Sequence, residues 1–206
     1  MSGHKDVYAY DYYGEGTYIN LTNRCTNRCT FCIRSTKEGV GGHELWLKHE
    51  PDANEVLEQL WALPPSDEVV FCGYGEPTMR LDVLLEVARA AKQKGKRVRI
   101  NTNGHANLIH KRNIVPELAG LVDTVSISLN APDAKSYNEI CRPDDEQAFQ
   151  AVLDFARACA GVIPKVVFTV MDIIGEEAIE KCRALAKETG AELRVRTCIG
   201  NPAQNG

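Results

Sequence analysis

Leu21-Thr-Asn-Arg-Cys25-Thr-Asn-Arg-Cys29-Thr-Phe-Cys32 sets three cysteines at C-x3-C-x2-C spacing directly after a short apolar run, 17–21. Three thiolates this close can converge on one small inorganic cluster, whereas a closed structural zinc site needs four ligands. A cubane held by three cysteines keeps one iron open for a further ligand. On spacing alone two other readings stand: a zinc site completed by His43 or His49, and three separate buried thiols. Phe31, beside the last cysteine, can shield a cluster from solvent, which is one lever on its potential.

Working outward, β-rich apolar runs of strand length alternate with longer stretches of helical periodicity. The candidate strands are 17–21, 68–72, 97–101, 124–129, 165–170 and 192–197. Val69-Val70-Phe71 and Val166-Val167-Phe168 are continuously apolar, as strands covered on both faces tend to be. Between the strands, Val56, Leu57, Leu60 and Trp61 recur at helical spacing, and further helices are expected near 81–94, 146–160 and 176–189. Gly95, Gly161 and Gly190 stand where the last three would end. Repeated strand-then-helix units make an α/β fold, and six of them fall short of an eight-stranded barrel. The expectation is a partial (β/α)6 TIM-like barrel, one domain over 1–206 with its core at about 17–197. Its site should lie at the C-terminal ends of the strands, where the βα loops gather.

Composition narrows the function classes. The 206 residues carry 24 basic and 28 acidic side chains, a net charge of −4, which implies no large phosphate-backbone footprint. No apolar run approaches the roughly 20 residues that span a bilayer, and the first residues lack an apolar signal segment. The expectation is a cytoplasmic protein with no membrane partner. In that setting the eight cysteines are better read as ligands and core thiols than as disulfides.

A second motif follows the second strand: Phe71-Cys72-Gly73-Tyr74-Gly75-Glu76-Pro77-Thr78, about forty residues after the cysteines. Glycines there let backbone approach a ligand closely. Alone, such a turn is usually an ordinary loop. Together with C-x3-C-x-aromatic-C after the first strand, it resembles the radical S-adenosylmethionine superfamily. At finer grain, the stretch from Asn20 to Arg34, Gly39-Val-Gly-Gly, the stretch from Phe71 to Thr78, Ile100-Asn-Thr-Asn-Gly-His and Ser126-Ile-Ser-Leu-Asn-Ala-Pro-Asp resemble the small group encoded beside TatD-type hydrolases.

The resemblance implies a [4Fe–4S] cluster on Cys25, Cys29 and Cys32, with S-adenosylmethionine on its open iron. Gly73, Tyr74, Gly75 and Glu76 would contact the methionine part, with Asn101 and Asn103 at the next strand's end. Ser128 and Asn130 sit where the family binds the ribose. It further implies reductive cleavage to methionine and a 5′-deoxyadenosyl radical, which takes hydrogen from a small-molecule or nucleotide-like substrate. A low-potential electron donor such as flavodoxin or ferredoxin is implied, and a functional link to a TatD-type hydrolase is suggested. Two alternatives stay open: an activase that makes a glycyl radical in a partner protein, and an iron–sulfur or zinc sensor module. The Gly-Tyr-Gly-Glu turn speaks against a sensor, which needs no second ligand cradle.

Other residues have blander readings. Cys159 and Cys182 fall on helix apolar stripes and are expected in the core. Cys72, Cys141 and Cys198 are expected at the strand-end face, where packing is the first reading and an auxiliary cluster or a thiol hydrogen donor the second; Cys141 and Arg142, in the polar turn 137–143, are the candidates to touch the substrate. That turn and the glycine-rich loop 39–42 would flank an open side of the barrel; Arg142 either meets an anionic group or ties the turn to the barrel, and His43 is an exposed loop histidine or part of a lid. Lys92, Lys94, Lys96 and Arg97 form a basic cluster expected to be solvated. The cysteine roles separate cleanly: Cys29→Ala should abolish cluster assembly, while Cys182→Ala should keep it and cost only packing. Iron content of both purified variants measures this, and equal iron loss would refute the assignment.

Overall fold

The computed structural model describes residues 6–35, 40 and 42–197. Among these residues seven strands lie in one sheet in sequence order: β1 (Ala9–Asp11), β2 (Thr17–Ile19), β3 (Glu68–Phe71), β4 (Arg97–Thr102), β5 (Thr124–Ser128), β6 (Lys165–Met171) and β7 (Glu192–Arg196). From β2 to β7 every pairing is parallel, and β1 alone runs antiparallel in a hairpin with β2. Parallel neighbours need a crossover at each step. Helices supply it: α1 (Ala53–Ala62), α2 (Leu81–Gln93), α3 (Ala106–His110), α4 (Val115–Leu118), α5 (Ala134–Cys141), α6 (Ala148–Cys159) and α7 (Glu176–Thr189). The six parallel strands are the expected partial barrel. β1 was not foreseen, because three residues are too few to show a strand period.

Local chemistry sets the helix ends. Asp52 accepts from the Glu55 amide at 2.9 Å and Glu55 accepts from the Asp52 amide at 2.9 Å, a reciprocal cap that starts α1. α1 buries Val56 and Leu60, whereas Trp61, expected on the same stripe, lies at the rim with the Lys94 ammonium 4.9 Å from its ring. Gly190, at φ +77, closes α7 in the left-handed region that costs other residues strain. Cys159 and Cys182 are fully buried on α6 and α7, as their register predicts.

The two faces of the sheet differ. Val69, Phe71, Ile100, Val125, Ile127 and Phe168 face the helices and belong to the main core. Val70 points to the other face, where Tyr10, Tyr18, Leu45 and Tyr74 form a smaller separate cluster. The continuous apolar runs of β3 and β6 are buried on both faces as expected, whereas β4 alternates, with Val98 and Ile100 buried toward the helices and Arg97, Arg99 and Asn101 on the inner face. The supposed basic cluster is split in the same way. Lys92 bridges Asp123 at 2.8 Å, Lys94 covers Trp61, and Arg97 lines the inner cavity.

Residues 137–143, expected as a polar turn, contain the end of α5. Asp133 caps that helix by accepting from the Ser136 amide at 2.9 Å, and Tyr137 and Cys141 are its fully buried pair one turn apart. Eight residues rich in polar side chains do not advertise a helix, and tertiary burial decides it. Cys141 is thus a buried helix residue; Arg142 is its exposed C-cap at φ 47.

The end of α5 carries the cysteine loop. The Arg28 amide donates to the Cys141 carbonyl at 2.9 Å and the Thr30 amide to the Ile140 carbonyl at 2.9 Å, taking up helix-end acceptors. Side chains repeat the tie. Asn27 donates to the Tyr137 hydroxyl at 3.1 Å, which lies 2.9 Å from His105 Nε2, while His105 Nδ1 lies 2.9 Å from Thr26 Oγ1. Burial lowers the His105 pKa from its ordinary 6.5 to about 4, so the ring is neutral when folded. Between these values the unfolded chain binds the extra proton. Stability from this residue is therefore complete above pH 6.5 and is lost as pH falls toward about 4. The full penalty is about 3 kcal/mol. Denaturation of wild type and His105→Gln across this window should show a flatter profile for the variant; identical profiles would refute the coupling.

Candidate functional site

Four strand ends meet at one side of the sheet. The cysteine loop follows β2, the turn 73–76 follows β3, Asn103 and His105 follow β4, and Ser128 and Asn130 end β5. The first two are interlocked by close backbone approach. A Cβ on Gly75 would lie 2.3 Å from the Thr22 carbonyl oxygen and 2.5 Å from that of Arg24, and one on Gly73 would lie 2.1 Å from Asn20 Oδ1. Only glycine fits at both positions. The Glu76 amide donates to the Arg24 carbonyl at 2.7 Å, and buried Asn20 holds the neighbouring segment by donating to the Leu45 carbonyl at 2.7 Å.

Glu76 is 2% exposed and its carboxylate faces inward to the protein. It accepts from the Thr78 amide at 3.1 Å, the Thr78 hydroxyl at 2.6 Å, the Thr102 hydroxyl at 2.7 Å and the Asn103 amide at 2.7 Å. Burial raises its pKa, against the lowering effect of these donors. Its hydrogen bonds join the turn after β3 to the end of β4. Tyr74 packs its buried ring against Trp46 at 5.2 Å, and Asn101 lies on the inner wall together with Cys72. Ser128 sits half-buried beside Thr169 in the ladder. Asn130, buried and at φ 60, donates to Cys141 Sγ at 3.4 Å.

Cys25, Cys29 and Cys32 are each partly exposed on the one loop. Burial, with Glu76 nearby, pushes the Cys25 thiol up to about 12. The hydrogen bond to the Cys141 thiol, then burial, pushes Cys29 up as well. Two N–H groups aim at Cys25 Sγ: the Asn27 amide at 3.5 Å and Asn103 Nδ2 at 3.8 Å. Among the described residues no three His, Cys, Asp or Glu side chains already converge as a metal-holding set. His43 lies against Tyr10 at 5.3 Å and His49 pairs with Glu55 at 3.1 Å, so neither completes a closed zinc site. An all-sulfur donor set with N–H groups directed at sulfur fits an iron–sulfur cubane held at three corners. The raised thiol pKa values mean that metal must displace protons to bind.

Cys198, Gly39 and Gly41 lie outside the described residues. Sequence reasoning missed the Thr26–His105–Tyr137–Asn27 network and the inward arginines of β4 and β7. Only the latter left a trace, the alternation Arg97-Val-Arg99-Ile-Asn101 and Arg194-Val-Arg196. Among the described residues no helix is long and apolar enough to cross a membrane.

Comparison with known proteins agrees with this geometry. The chain is 32% identical to the GTP 3′,8-cyclase of Corynebacterium glutamicum strain R over 85% of its own length and 47% of that protein's. It is 28% identical to a Methanocaldococcus jannaschii protein provisionally named as a glycyl-radical enzyme activating enzyme, over 77% of this chain and 62% of that one. The chain thus spans about half to three fifths of these relatives. The fold matches Streptococcus suis SuiB, whose structure is bound to S-adenosylmethionine, with TM-score 0.67 and 19% identity over 90% of this chain and 40% of that one. The Radical SAM superfamily model matches residues 19–188, and the chain belongs to that superfamily, whose cofactors are a [4Fe–4S] cluster and S-adenosylmethionine.

Proposed function

We propose that this chain is an enzyme that holds a [4Fe–4S] cluster on Cys25, Cys29 and Cys32 and cleaves S-adenosylmethionine reductively, acting on a small-molecule or nucleotide-like substrate. The observation that carries this reading is the interlock of the cysteine loop with the turn 73–76, through Gly75 against Thr22 and Arg24. When bound, the two cofactors supply carbon–sulfur bond cleavage and the hydrogen abstraction that follows it. The residues of this chain orient them. Gly73, Tyr74 and Gly75 would offer backbone polar groups to the methionine part; Glu76 keeps that turn in place through Thr102 and Asn103. Asn103 directs an N–H toward Cys25, and Ser128 and Asn130 would stand beside the ribose, with Asn130 also steadying Cys141. Exposed Arg142 stays a candidate on the substrate side, while Cys141, buried on α5, backs the cysteine loop.

The similarity to an activating enzyme supports the glycyl-radical alternative less well, because a cavity of about 650 Å³ inside the sheet suits a small ligand. The stretches at 20–34, 71–78, 100–105 and 126–133 support placing the chain in the TatD-linked group. With that go a cytoplasmic site, a flavodoxin or ferredoxin donor and a link to a TatD-type hydrolase.

Anaerobically reconstituted protein should hold one oxygen-sensitive [4Fe–4S] cluster and form 5′-deoxyadenosine under strong reductant. Iron analysis and chromatography of the nucleoside read this directly; stoichiometric zinc without cleavage would overturn it. Gly75→Ala should lower stability by about 2 kcal/mol and nucleoside formation at least about tenfold, since backbone on both sides must move. Unaltered melting and turnover would show that the close approach is not needed.

A further inference from the structure

The inner face of the sheet does not close over an apolar plug. In a full barrel that space is filled by layers of branched apolar side chains. Here Tyr18 of β2, Arg99 and Asn101 of β4, Ser126 of β5, Thr169 of β6 and Arg194 of β7 line a cavity of about 650 Å³. Strand register explains why they share a face: Arg99 pairs with Thr124, Asn101 with Ser126 and Thr169 with Arg194.

Positive charge is concentrated in its lining. Among the described residues, Arg97, Arg99, Lys165, Arg194 and Arg196 line the cavity together with only Glu15 and Glu68, in a chain whose net charge is −4. Two cations are already neutralised, Arg99 by Glu68 and Lys165 by Glu192, each at 2.9 Å. Among the described residues no carboxylate pairs with Arg97, Arg194 or Arg196. Deeper in, Arg99 Nε and Asn101 Oδ1 are buried without a hydrogen-bond partner, a donor and an acceptor on one strand. Aromatic rings share the lining: Tyr12 lies 4.8 Å and Tyr10 5.7 Å from the Tyr18 ring.

Unpaired guanidinium groups around a partly enclosed cavity recognise oxyanions, and tyrosine faces recognise planar rings. We propose that this cavity binds a small molecule with a planar ring and a phosphate or carboxylate, the oxyanion on Arg97, Arg194 and Arg196 and the ring against Tyr12 and Tyr18. A nucleoside monophosphate has both parts. That this ligand is the enzyme's substrate rests on the proposed function; that the cavity binds it does not.

Calorimetry on the full reconstituted chain at low ionic strength tests this with uridine and guanosine 5′-monophosphates, the parent nucleosides and an aryl carboxylate. Adenine compounds are avoided because they compete with S-adenosylmethionine. The anionic probes, whether phosphate or carboxylate, should bind at least about tenfold tighter than the uncharged nucleosides. The double variant Arg194→Gln/Arg196→Gln should lose that margin, while Arg157→Gln, which pairs with Asp154 and Glu188 on the helix surface, should retain it. If the double variant melts early, Arg97→Gln decides. Equal affinity for charged and uncharged probes, or an unchanged margin in a folded variant, would overturn the proposal. Formation of 5′-deoxyadenosine by the same wild-type sample separates the two readings. Cleavage without charge-dependent binding defeats the cavity proposal alone; arginine-dependent binding without cleavage upholds it and defeats the enzymatic one.

Discussion

A buried carboxylate organises the strand-end face. Glu76 has lost nearly all contact with water, and a charge in that position is costly unless donors replace the lost solvent. The replacements come from two places, Thr78 in its own turn and Thr102 and Asn103 at the end of β4. Two donors belong to each strand end, so the carboxylate is satisfied only when β3 and β4 end in register. Asn103, fixed by its amide on Glu76, then has its side chain free to reach Thr26 and the sulfur of Cys25. One glutamate thus transmits the order of the sheet to the cysteine loop.

The same loop is held from the opposite side by the end of α5, through carbonyls that a helix terminus leaves unpaired. Neutral His105 and Tyr137 fill the space between, at positions where a charge would have no counterpart. Loop backbone is ordinarily mobile and solvent-exposed. Here it is clasped between a strand end and a helix end, which leaves the cysteines partly exposed on a fixed frame, as a site for precise chemistry requires.

The sheet divides its work by face. Its outer face carries the main apolar core against the helices, so the inner face is not needed to supply it. That frees β4 and β7 to place arginines inward without undoing the fold, with Glu68 and Glu192 offsetting part of the charge. The result is a cavity beneath the strand-end site, lined by basic and aromatic side chains.

Much of this was legible in order along the chain. The alternation of strands and helices, the C-x3-C-x2-C loop, the Gly-Tyr-Gly-Glu turn and the core roles of Cys159 and Cys182 depend on local spacing, which a sequence displays directly. Cys141 reads as part of a turn but ends a helix, and Arg97 is exposed as a solvated cation should be, but on the inner face of the sheet. α5 is too short and polar to announce itself, and the alternation of β4 was hidden by the lysines that precede it. Other features depend on residues far apart in sequence, and only the tertiary structure decided them: Asn103 on Cys25, Tyr137 on Asn27, and Arg194 in one cavity with Tyr18. The sequence by itself determined which elements form and which chemical groups each loop carries, because those follow from neighbours in the chain. Which of those groups face one another was set by strand register and by the close packing that Gly73 and Gly75 permit, where displacement by one residue would turn every inward side chain outward.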